Sequence, residues 1–120
     1  MSLRKNRVVV LAVVAALVLI SACERPIQNP TKLSAIKVEA QMLMKAHPVA
    51  AEITRAQWPP AVASLKPEFV TIDPDGLHIT TRAYFDGGWG YFVPRKSGPL
   101  PEPVGRFEKV ADGVFWWHPY

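Results

Sequence analysis

A single cysteine, Cys23, stands in the whole chain, so no intrachain disulfide can form and the fold must hold by packing alone. Histidine occurs three times, as His47, His78 and His118, at separations that match no short ligand spacing; no metal site is expected. Ser34, Ser64 and Ser97 lack the glycine-flanked setting of a strained nucleophile turn. Glu52, Glu68, Asp86 and Glu108 lie at no spacing that marks an acid/base couple. No catalytic residue and no cofactor is assigned, and an enzyme is unsupported at this level.

Two local patterns invite chemistry and fail on spacing. Asp73, Asp75 and Gly76 suggest a calcium loop, but counting from Asp73 the positions that need the turn glycine and the bidentate glutamate hold His78 and Tyr84. The run Gly87-Gly88-Trp89-Gly90 could offer backbone N–H groups to a phosphate. It lacks the strand-to-helix setting that makes such a loop specific, and turn glycines are the expected reading.

Acidic residues are missing from the N-terminus, where none precedes Glu24. What stands there is a basic cluster, Arg4, Lys5 and Arg7, and then an unbroken apolar run from Val8 to Ile20. A bilayer core needs about 20 apolar helical residues, whereas the apolar stretch of a secretory signal needs about 7–15. With small Ser21 and Ala22 after it, the segment reads as a signal peptide over residues 1–22.

Ile20-Ser21-Ala22-Cys23 resembles the lipobox of bacterial lipoproteins. The resemblance implies that Cys23 Sγ takes a diacylglyceryl group, that a peptidase cuts before Cys23, and that the new α-amino group takes a fatty acyl chain such as palmitate. Each buried methylene contributes about 0.8 kcal/mol, so several long chains make a permanent tether. Glu24 follows where an aspartate commonly favours inner-membrane retention. The resemblance therefore implies an outer-membrane lipoprotein facing the periplasm.

Processing also changes the charge. The formal charge of +4 falls by three with Arg4, Lys5 and Arg7, to +1. Phosphate backbones demand a clustered excess of Lys and Arg, so nucleic acid is set aside as a partner. The expected partners are the membrane, through lipid on Cys23, and a protein or glycan of the envelope.

Residues 23–29, polar, with Pro26 and no periodicity, read as a tether. Residues 30–120 are enough for one small domain with one core. Asn29-Pro30 is a helix start: asparagine caps free N–H groups and proline fits the first helical position. Leu33, Ile36, Ala40, Leu43, Met44 and His47 then recur on one helical face, with Val38 and Met42 on the back. Pro48 should stop that helix. Residues 49–57 can continue as a second short helix or run extended, with a weak helix favoured over the early part, followed by one turn opened by Pro60 and closed by Pro67, with Trp58 and Leu65 stapled to the core.

Beyond Pro67 the period becomes two. Val70 and Ile72, then Leu77, Ile79, Thr81 and Ala83, alternate like strands with one buried face, joined by the turn Asp73-Pro74-Asp75-Gly76. Asp86 to Gly90 is expected to turn into the next strand, and Asp112-Gly113 to join a final pair. The segment from Trp58 to Ile79 is similar to small bacterial domains with no assigned activity, so it transfers no functional residue. The expected fold class is α+β: a signal helix, then one amphipathic helix packed on an antiparallel sheet of about five strands in meander-like order.

The C-terminal run Val114 to Tyr120 places Phe115 and Trp117 on one strand face and Val114, Trp116 and His118 on the other. A one-sided sheet buries only one of these faces. Trp89, Tyr91, Trp116, Trp117 and His118 are the candidate surface for a ligand or partner, with core packing as the alternative use of the same aromatics. The function expected is a non-enzymatic binding module of the inhibitor, immunity or envelope-assembly type. An enzyme or glycan-binding module acting on an envelope polymer is the alternative.

Overall fold

The computed structural model describes residues 25–47, 50–85 and 87–119. The signal segment, Cys23 and the junction at Pro48 lie outside the described residues. The first long element is α1, Pro30–Ala46. Asn29 Oδ1 accepts from the N–H groups of Thr31 (3.0 Å) and Lys32 (3.3 Å), which satisfies two of the donors a helix start leaves free. His47 closes the helix in extended geometry, its N–H donating to the Leu43 carbonyl at 3.0 Å, as a residue before proline must.

Six antiparallel strands form one sheet: β1 Ala51–Glu52, β2 Phe69–Ile72, β3 Gly76–Tyr84, β4 Gly87–Pro94, β5 Phe107–Ala111 and β6 Val114–Trp117. Their spatial order is β1-β2-β3-β4-β6-β5. The class is α+β, with α1 and the short α2, Pro60–Ser64, on one face. The core lies between: Leu33, Ile36, Ala40, Leu43 and Met44 pack with Val62, Val70, Ile72, Leu77, Ile79, Tyr91, Val93, Val114 and Trp116. Trp58 and Leu65 join it half-buried.

Two local expectations are corrected, over residues 49–57 and at the β3–β4 connection, while the helical turn that Pro60 opens is found as α2. Ala51 and Glu52 extend as an edge strand on Ile72 and Thr71 rather than a helix, because Ile53 must reach the core, where it is buried and its N–H donates to Val70. The helical turn there is a 3-10 turn at Arg55–Gln57. Helix α2 ends before Pro67, with Lys66 at φ 51°. The β3–β4 connection is shorter than expected: Tyr84 pairs with Gly87, so Gly87 to Gly90 are strand residues. Gly90 faces the Ile79 carbonyl so closely that a Cβ would run into it, which explains glycine in mid-strand.

The final pair also departs from a meander. The strand beside β4 is β6, and β5 takes the edge. Polarity decides this: β6 is almost wholly apolar and needs two partners, whereas β5 exposes Glu108 and Lys109, charges that blunt an edge. A bulge between Thr80 and Arg82 shifts the parity of β3, so that Arg82 rather than Thr81 stands opposite the next core-side position, Trp89.

One core contact had no trace in the sequence. The carboxylate of Glu39 on α1 accepts from the N–H groups of Ala61 (2.8 and 2.9 Å) and Val62 (3.0 Å), capping α2 from another helix. Glu39→Ala is expected to lower stability by about 1–3 kcal/mol, since it strips a charged acceptor from half-buried donors. Denaturant midpoints against Glu52→Ala, an exposed control, check this.

Candidate functional site

The face of the sheet opposite the helices holds an organised side-chain lattice. Strand register sets two rows across it. Phe69 stands opposite Thr80, Thr80 opposite Gly90, Gly90 opposite Trp117, and Trp117 opposite Phe107. In the next row Thr71, His78, Phe92, Phe115 and Lys109 follow one another in the same way. Alternation along each strand dictates this: Val70, Ile79, Tyr91, Val114 and Trp116 point to the core, and their neighbours point outward.

The outward residues are unusually apolar for a face without a helix on it. Phe69 is 46% exposed, and Phe107, Phe115 and Trp117 are half-buried. Phe92 lies beneath them, fully buried, with its ring 4.6 Å from His78 and 5.2 Å from Phe107. Trp117 meets the His78 ring edge-on at 5.9 Å. Such ring geometries favour a fixed, preorganised surface over a mobile one. The half-buried rings offer area that a partner can still cover at little conformational cost.

His78 is the polar centre of this lattice. Its Nε2 lies 3.0 Å from Asp73 Oδ2. Burial pushes the imidazole below its ordinary pKa, and the nearby carboxylates, Asp73 first and then Asp75, only partly oppose this. At neutral pH the contact is therefore a neutral Nε2–H donating to a carboxylate. Asp73 is committed elsewhere too: its Oδ1 accepts from the N–H groups of Asp75 (2.9 Å) and Gly76 (3.1 Å), which fixes the turn. Arg95 Nη2 donates to the Asp73 carbonyl at 3.3 Å.

A histidine held neutral by folding binds more protons once unfolded. Its contribution to stability is present above about pH 6.5, the unfolded value, and is lost as pH falls through the lower folded value. The thermal midpoint is expected to drop between pH 7.5 and pH 5. His78→Gln should flatten that dependence, which melting curves across the interval measure.

The five residues singled out in the sequence are not brought together. Tyr91 and Trp116, each 3% exposed, meet edge-on at 5.1 Å in the core, because both take the inward positions of their paired strands. Trp89 packs half-buried against the helix side, with Arg82 over its ring at 5.7 Å and Tyr84 at 5.6 Å. His118 follows β6, its N–H donating to the Arg106 carbonyl at 3.0 Å. Of the five, Trp117 alone belongs to the outer lattice.

No protein-family model, curated protein or solved structure matches this chain.

Sequence reasoning missed Phe69, His78 and Phe107 as parts of a surface, and Phe92 as the buried ring beneath it. Alternation placed Phe69 and His78 on the outward face of their strands, but the pairing of β6 with β4 was needed to align all four. Chemically, the lattice suits adhesion: rings to cover, the Thr71 and Thr80 hydroxyls to bond, and one histidine. Among the described residues no group of three or more His, Cys, Asp or Glu is placed to hold a metal ion. Elsewhere, an open cleft of about 380 Å³ is lined by Arg55, Trp58, Ala63, Lys66 and Pro67. The Arg55 guanidinium already lies 5.5 Å over the Trp58 ring there.

Proposed function

We propose that the chain is a lipid-anchored binding module of the bacterial cell envelope, held by Cys23 and engaging a partner protein through the outer sheet face. The observation that carries the binding role is the transverse row Phe69–Thr80–Gly90–Trp117–Phe107, in which apolar rings stand on the helix-free face of the sheet. The envelope location rests on the lipobox-like Ile20-Ser21-Ala22-Cys23. Since aromatic anchors dominate protein interfaces, Trp117 is the centre of the proposed contact, with Phe69 and Phe107 flanking it. The lipid on Cys23 would confine that face to a shell next to the membrane, raising its effective concentration toward a partner there.

Site-specific photo-crosslinking in intact cells tests this. A photoreactive residue in place of Phe69, which flanks Trp117 in the same row, should capture a discrete envelope protein, while one in place of Val38, on the exposed back of α1, should not. Equal labelling from both positions, or none from Phe69, would reject the outer face as the interface.

A further inference from the structure

The tether and the β3–β4 hairpin emerge at the same end of the domain. Ile27 packs half-buried against the core and its N–H donates to Tyr91 Oη at 2.8 Å. Arg25 and Thr81 line one hollow together with Ile27 and Tyr91. The segment entering from Cys23 is thus pinned beside Thr81, and β3 continues from Thr81 past that point to Tyr84 and the turn residue Phe85.

Phe85 is 92% exposed, the most exposed large apolar side chain among the described residues. Tyr84 is 45% exposed and meets the Phe85 ring edge-on at 4.8 Å. Behind them Arg82 lies over Trp89. An aromatic tip backed by arginine, with Arg25 and Lys32 lining the hollow at the same end, has the composition that settles at a bilayer interface: rings at headgroup depth, cations toward phosphate.

Reach decides whether the tip meets the membrane. Cys23 and Arg25 are two chain steps apart, with Glu24 between them, a span of at most about 7 Å. From Thr81 to Tyr84, the end of β3, a strand advances about 10 Å, and Phe85 lies beyond it in the turn. A lipid buried at Cys23 therefore brings the hairpin to the bilayer surface before the tether is fully extended. We infer that the hairpin tip, Phe85 with Tyr84, is a second membrane contact that inserts into the phospholipid headgroup region and fixes the orientation of the domain. This rests on the lipid anchor proposed above. The outcome would be a sheet standing on its tip, with the outer face turned sideways and open to a partner.

The test uses the full chain, processed by its own host and reconstituted into vesicles of phosphatidylethanolamine and phosphatidylglycerol. Phe85→Cys and, as control, Val38→Cys are labelled with a polarity-sensitive fluorophore. Lipidation blocks the thiol of Cys23, so the intact mass of the labelled protein, showing one label and the lipid, reports on the anchor separately. Position 85 should emit blue-shifted and be quenched several-fold more by quenchers attached to lipid chains than position 38, and less by aqueous iodide. Lipidated protein with equal quenching at both positions would overturn the tip contact and leave the anchor standing. An unmodified Cys23 with position 85 still embedded would support the tip contact and remove the anchor.

Discussion

Replacing Trp116 with alanine is expected to cost about 3–5 kcal/mol of folding free energy, whereas Trp117→Ala should cost about 1 kcal/mol and abolish partner capture. The two residues are adjacent in sequence and opposite in role. Trp116 is 3% exposed, edge-on to Tyr91 inside the core, and truncating it leaves a cavity that the surrounding strands cannot close. Trp117 stands half-buried on the outer face beside His78 and opposite Phe107. Urea midpoints of the two variants, with the Trp117 variant also assayed for cross-linked product from Phe69, separate the effects. Matched stability losses would contradict the assignment of the two faces.

Cys23→Ser is expected to change the location of the whole protein. The proposed anchor adds long acyl chains at one sulfur and one nitrogen, and each buried methylene is worth about 0.8 kcal/mol. Serine cannot form the thioether, so the peptidase that depends on it should leave residues 1–22 attached. Among the described residues no helix is long and apolar enough to cross a membrane. Fractionation after carbonate washing, with an antibody to the C-terminal domain, should show wild type in the outer-membrane pellet and the variant as a slower-migrating precursor. A variant that matures and fractionates like wild type would contradict lipidation at Cys23.

Much of the architecture was readable from local pattern. The Asn29-Pro30 start, the helical spacing of Leu33, Ile36, Ala40 and Leu43, and the period of two through β2 and β3 each reflect a preference that acts over a few residues. They reappear as α1 and as the Val70↔Ile79 and Ile72↔Leu77 pairs. What local pattern could not carry was long-range pairing. The edge position of β5, the Glu39 cap on α2 and the bulge at Thr80/Arg82 are decided between segments distant in sequence or by twist. The division of the candidate residues between the two faces was hidden for the same reason: alternation separated Trp116 from Trp117, but nothing local could show Tyr91 as the inward partner of Trp116, or align Phe69 with Trp117 across four strands.

The account depends most on Cys23, and the mass of the mature N-terminal peptide from membranes of the native host tests it directly. A peptide beginning at Cys23 and heavier by a diacylglyceryl group and an acyl chain is the predicted result. A peptide that retains residues 1–22, or one with a free Cys23 thiol, would contradict the account.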